Sequence, residues 1–150
     1  MKKLQIDEEN ARELYKTASP EFKTMLEDTF GKDFFTNITD RVKTFEDACR
    51  CCHNWPNVSL YWLPTHIAAY IKLTTIIEAL NEGWKPNFQD KNEGKYYVGT
   101  FAGGFFTYMS YGAATTDASI GARLLFKSRE LAEYAAKQFP ELYKQFLLNL

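Results

Sequence analysis

The sequence predicts an α+β protein: a helical N-terminal half, then a small antiparallel sheet of about three strands (95–102, 105–111 and 122–127) packed by a long C-terminal helix. Three observations predict it. From Thr65 to Glu82, Ile67, Tyr70, Ile71, Thr74, Ile77 and Leu80 recur at helical spacing. From Lys95 the apolar period changes to two, in KYYVGTFA and FFTYMSY on either side of Gly103-Gly104. Finally, Ile120 to Phe146 runs from an apolar strand through Ser128 into an amphipathic helix.

Taken in order, residues Glu8 to Thr17 form a helix behind Asp7 as N-cap, with Ala11, Leu14, Tyr15 and Ala18 on one face. Ser19-Pro20 pairs a favoured N-cap with a favoured first helical residue, so Pro20 to Phe30 is a second helix, closed by Gly31 and burying Phe22, Met25, Leu26 and Phe30. In ITDRVKTFEDACRCCHNW, either one helix starts at Asn37 or a short turn precedes a helix capped at Thr44. The second reading is favoured, because Thr44 and Asp47 have capping-box spacing with Asp in place of the usual Glu. Trp55 to Pro64 is a connection, fenced by Pro56 and Pro64, with aromatics that belong at a surface.

The helix from Thr65 is apolar around most of its circumference once Ala68, Leu73 and Ile76 are added, which places it in the core. Gly83 stops it and Pro86 prevents resumption. In the hairpin, a two-residue turn at Gly103-Gly104 would pair Ala102 with Phe105. Tyr97, Phe101, Phe106 and Tyr108 would then share one face, with Gly99 opposite Tyr108. A loop of small residues from Gly112 to Gly121 leads to the third strand, on which Arg123 shares a face with Leu125 and Lys127. In the last helix the apolar face of Leu131, Ala135, Phe139, Leu142 and Phe146 keeps its phase across Pro140, which predicts one kinked helix rather than two.

A chain of 150 residues fits a single domain, 1–150, and on folding buries about 70% of the surface its unfolded form exposes. Aromatics are 16% of residues, a high share that brings large apolar area and, in tyrosine, polar tips suited to half-wet surfaces. A net charge of -1 supplies no whole-molecule field for phosphate or anionic lipid, so a general nucleic-acid binder is disfavoured. The apolar run from Ile67 to Leu80 is interrupted by Lys72 and Glu78 and falls short of a membrane span, and MKKLQIDEEN turns acidic where a secretory signal turns apolar. Cys49, Cys51 and Cys52 are an odd number and too close for a disulfide framework, so the expected compartment is the cytoplasm and the Asn37-Ile38-Thr39 sequon is a chance match.

Three stretches, ITDRVKTFEDACR (Ile38 to Arg50), AYIKLTTIIEALNEGWKPNF (Ala69 to Phe88) and IGARLLFKSRELAEYAAKQF (Ile120 to Phe139), resemble an uncharacterised family of anaerobic gut bacteria and their phages. That family has no assigned activity, so the resemblance carries over no catalytic or binding residue. It implies a cytoplasmic, prophage-linked protein. Relatives tend to have a longer insertion where this chain has Gly103-Gly104 and lack the Cys51-Cys52-His53 run, so a function carried by that insertion would be lost here.

The chemistry the residues offer is sparse. Cys49, Cys52 and His53 would face one way on a helix, and His66 could complete a tetrahedral zinc set, yet structural zinc sites draw on two separated knuckles, and no metal or other cofactor is expected. Only His53 and His66 offer an imidazole base, and neither sits in a nucleophile-elbow or HExxH frame, so no catalytic residue is assigned. The aromatic hairpin is the remaining candidate surface: Tyr97, Phe101, Phe106 and Tyr108 near Lys95, Arg123 and Lys127. The leading expectation is a non-enzymatic interaction protein that forms a homodimer through this surface or through Trp55 to Trp62. A weak single-stranded nucleic-acid binder using the hairpin is the alternative. A small-molecule enzyme without a nameable site comes third.

Overall fold

The computed structural model describes residues 6–100, 106–111 and 121–150, with 100 and 106–111 described as backbone. It is helix-rich with one two-stranded hairpin. The chain groups into two compact units, one ending at Asn37 and one beginning at Ile38.

The first unit holds α1 (Glu8–Thr17), α2 (Pro20–Phe30) and a single turn, α3 (Lys32–Phe35). Both predicted caps form: Asp7 accepts from the amide of Asn10, and Ser19 from that of Phe22. Of the expected apolar stripes Ala11 and Leu26 are buried, Tyr15, Ala18, Phe22 and Phe30 are half-buried, and Leu14 and Met25 are exposed. Stacked rings add to this packing. Tyr15 lies on Phe35 with centroids 4.1 Å apart and planes 11° off parallel, and Phe34 meets Phe35 edge to face at 4.9 Å. The Tyr15 hydroxyl donates to Glu27, and that bond raises the phenol above its ordinary value.

The second unit is built around α6 (Thr65–Leu80), whose Leu73, Ile76, Ile77 and Leu80 are fully buried or nearly so, as the all-round apolar pattern requires. Before it come a turn, α4 (Ile38–Arg41), and α5 (Phe45–Cys52). Thr44 and Asp47 form the reciprocal capping box, so the reading of a separate helix capped at Thr44 holds. The bond from Thr44 comes first among the influences that hold the Asp47 carboxyl below its usual range, aided by the Lys43 amide and Arg50. After α6, Glu82 and Gly83 both take positive φ, 50° and 83°, and turn the chain out of the helix.

The hairpin pairs β1 (Lys95–Thr100) with β2 (Phe106–Tyr111) antiparallel, Val98 opposite Tyr108 and Thr100 opposite Phe106. That register is one residue away from the one predicted, and Gly99 faces Thr107 rather than Tyr108. A one-residue change exchanges the faces of one strand relative to the other. Positions 106 and 108 therefore share the face of Val98, which is buried in the core cluster with Phe126, Leu131 and Ala135, while Tyr97 belongs to the opposite face. Phe101 and the Gly103-Gly104 turn lie outside the described residues.

The predicted third strand at 122–127 is not formed. Ala122–Leu124 is a 3-10 turn, and only Phe126 pairs with β1, its amide and carbonyl bonding to Tyr96 at 2.7 and 3.2 Å. The opposite edge of this segment is taken by the side chain of Asn81. Its Nδ2 donates to the Leu125 carbonyl at 2.8 Å, and its Oδ1 accepts from the Lys127 amide at 3.0 Å. One carboxamide at the end of α6 thus supplies the bonds that a neighbouring strand would have made.

Ser128 caps α7 (Arg129–Gln138), which packs on both strands. The single kinked helix expected through Pro140 is instead two, α7 and α8 (Pro140–Tyr143), followed by a π turn over Lys144–Leu148. Phe139 leaves the helical region at φ -123° and ψ 42°, because proline's ring crowds the residue before it out of the α conformation. The apolar phase survives the break: Ala135, Phe139 and Tyr143 are all buried.

Candidate functional site

Two features stand out in the second unit, an exposed aromatic knuckle before α6 and a charged cleft toward its far end, and Asn54, just after α5, lines the cleft. His53 caps that helix in the left-handed region with φ 50°, and Asn54 then donates from Nδ2 to Glu78 of α6 at 3.2 Å, which tethers the exit of α5 to α6. From there, Pro56 and Pro64 keep the backbone extended or turned, and Leu60–Trp62 makes one 3-10 turn before α6 starts. The side chains of this knuckle face water: Tyr61 is 84% exposed, Trp62 81%, Trp55 54% and Val58 53%. Tyr61 and Trp62 lean on each other edge to face with centroids 5.0 Å apart.

The cleft lies at the other end of α6, with a volume of about 590 Å³. Its walls include Ile77, Glu78 and Asn81 of α6, Trp84 and Lys85 beyond it, and Arg123 of the 3-10 turn. Arg123 was expected on a strand beside Leu125 and Lys127. The 3-10 turn places it, exposed, at the cleft. Trp84 is held from behind, its indole Nε1 donating to Glu93 at 3.1 Å. Burial works to raise the Glu93 carboxyl, but bonds from the Asn87 amide, Lys95 and Trp84 hold it below its ordinary value.

The remaining sequence candidates disperse. Of the cations expected to flank the hairpin aromatics, Lys95 is buried with its ammonium on Glu93 and the carbonyls of Asp90 and Glu93, and Lys127 pairs with Glu82 at 3.1 Å. Among the described residues Arg123 alone of the three has no such partner. With Tyr97 turned to the opposite face from positions 106 and 108, the stacking platform does not assemble as drawn from the sequence.

Cys49 is buried in the core, where desolvation pushes its thiol up, and Cys52 donates to the Ala48 carbonyl at 3.0 Å, likewise raised by burial. His53 has left the helix, so it does not continue the Cys49 and Cys52 face, and His66 sits exposed on the first turn of α6. Among the described residues no group of three or more His, Cys, Asp or Glu is placed to hold a metal ion. Nor is any of their helices long and apolar enough to cross a membrane.

Compared with protein-family models, curated proteins and solved structures, the chain matches none. Glu78, Asn81, Trp84 and Lys85 were not expected as site residues, Glu78 being read only as a break in an apolar run. Asn81 carried a faint signal, an uncapped amide at a helix end before Glu-Gly, but its partners lie 44 and 46 residues further on.

Proposed function

We propose that the protein is a non-enzymatic interaction module of the phage or prophage type, which pairs with a second copy of itself through the Trp55 to Trp62 knuckle. The observation that carries the reading is the exposure of Tyr61 and Trp62, 84% and 81%, side by side on one turn. Large aromatics bury about 150–250 Å² each when covered, and they are the residues that dominate interface energetics. A second copy is the occupant that fits, because residues 55–64, WPNVSLYWLP, carry no Asp, Glu, Lys or Arg. An uncharged patch meets its own twofold image without like-charge repulsion, whereas a charged partner would find nothing to pair with. Three free thiols, one buried and two half-buried, agree with a reducing, cytoplasmic setting.

Light scattering over a concentration series tests the reading. The wild-type mass should rise to that of a dimer, and the Tyr61→Ser, Trp62→Ser double variant should stay monomeric with unchanged circular dichroism. A wild type that remains monomeric at the highest concentration, or a double variant that dimerises equally well, overturns it. Dimerisation that instead fails in Tyr97→Ala would move the interface to the hairpin.

A further inference from the structure

The cleft at the end of α6 is lined by charges of both signs beside an apolar wall. Three formal charges line it, Glu78, Lys85 and Arg123, and none makes an ion pair among the described residues. A cleft lined by both signs of charge, with no ion pair between them, suits a ligand that carries both signs.

The other polar groups of the walls are committed internally. Thr74 and Thr75 donate to the Ile71 carbonyl, Asn81 to the Leu125 carbonyl and Trp84 to Glu93. What remains for a ligand is the two cations, the Glu78 carboxylate with its single amide donor from Asn54, and the apolar surface of Ile77 and Trp84. The volume of about 590 Å³ falls within the roughly 300–1,000 Å³ of small-molecule sites.

We propose that this cleft binds a zwitterionic small molecule of the amino-acid type, an α-amino acid or dipeptide with an apolar side chain. The carboxylate lies between Arg123 and Lys85, where the guanidinium offers the planar two-pronged donor set that carboxylates accept. The ammonium meets Glu78 beside Asn54, and the side chain covers Ile77 and Trp84. Each end of the ligand neutralises a charge that the fold leaves without a counter-ion.

Titration calorimetry on the full chain with L-phenylalanine and alanyl-phenylalanine, against phenylacetate and phenethylamine, tests the site. One of the two zwitterions should bind saturably, and about tenfold more tightly than phenylacetate, which lacks the ammonium, or phenethylamine, which lacks the carboxylate. Arg123→Gln should abolish the advantage of the zwitterion over phenethylamine, and Glu78→Gln its advantage over phenylacetate. Both positions are exposed, so the variants should unfold at the wild-type urea midpoint. Trp62→Ser, which addresses the knuckle, should leave the affinity unchanged. No saturable binding of either zwitterion at tens of millimolar, or the same affinity for the zwitterion and its two fragments, or indifference to both charge-removing variants, overturns the proposal.

Discussion

Two 3-10 turns in the second unit, Leu60–Trp62 and Ala122–Leu124, share a backbone conformation and have opposite sequels. The first presents Tyr61 and Trp62 to water and closes on itself, with the Leu63 amide bonded to the Leu60 carbonyl at 3.4 Å. The second delivers Leu125 and Phe126 to zero exposure within two residues. The sequences would suggest otherwise, since LYW is more apolar than ARL. Both turns close on themselves, the Leu125 amide bonding the Ala122 carbonyl as the Leu63 amide bonds that of Leu60. What separates them among the described residues is the next groups. The amide and carbonyl of Phe126 go to Tyr96 and the Leu125 carbonyl and Lys127 amide to Asn81, whereas the Pro64 carbonyl takes the first amides of α6. Burial here follows from tertiary hydrogen-bond partners for the backbone, and aromatic content does not predict it.

The largest effect should come from emptying the anchored side. Phe126 is fully buried in the cluster of Leu73, Ile76, Val98 and Leu131, so Phe126→Ala should cost about 3–5 kcal/mol in urea unfolding, from lost transfer energy plus the cavity left behind. Next is Asn81→Ala, at about 2–4 kcal/mol, because it leaves the Leu125 carbonyl and the Lys127 amide without partners. Asn81→Asp is the sharper probe. It keeps the acceptor for Lys127 but turns a carboxylate toward the Leu125 carbonyl, so it should be no more stable than the alanine variant. If Asn81→Ala unfolds at the wild-type midpoint, the carboxamide is not what distinguishes the two turns.

How far the fold could be read from the chain follows the same division between local and distant bonds. Asp7, Ser19, Thr44 with Asp47, and Ser128 all cap the helices they were expected to cap, because a cap is a bond to an amide three residues away. The central place of α6 was legible from its apolar circumference. The third strand was not, since Ala122 to Lys127 has strand composition and the carboxamide that substitutes for a neighbouring strand is more than 40 residues earlier. The hairpin register slipped by one residue for a related reason: alternation fixes which residues share a face within a strand, while the offset between strands depends on the turn. The knuckle aromatics were placed at the surface correctly, on the strength of Pro56 and Pro64. Of the cleft only Arg123 stood out in the chain, and beside the hairpin aromatics rather than here; Glu78 and Lys85 look like ordinary surface charges until the fold brings them to the same cleft.

A smaller effect isolates the purely local device. Asp47→Ala removes one half of the α5 capping box and should cost about 1 kcal/mol. Since the folded carboxyl gives up its proton more readily than an unfolded one, this contribution is complete above the ordinary aspartate range and is lost as pH falls through the lower, folded value. The wild type and Asp47→Ala should therefore converge in stability below about pH 4, apart from what the remaining carboxylates do to both. A gap that persists unchanged into strong acid would mean that Asp47 acts through packing rather than through its charge.

The smallest stability effect belongs to the knuckle, and it is the most informative about what the exposed turn is for. Tyr61→Ser and Trp62→Ser remove two large rings that touch mainly each other, so monomer stability should change by no more than about 0.5 kcal/mol each. A turn kept only for its shape would then tolerate both changes with no measurable consequence. If the rings are an interface, the same substitutions leave the urea midpoint at low protein concentration where it was and abolish its rise with concentration, because mass action stabilises only a chain that associates. A concentration-dependent midpoint in the wild type that vanishes in the double variant assigns the rings to association. A midpoint that falls by several kcal/mol equivalents at every concentration would assign them to the core, and the two 3-10 turns would differ less than their exposures imply.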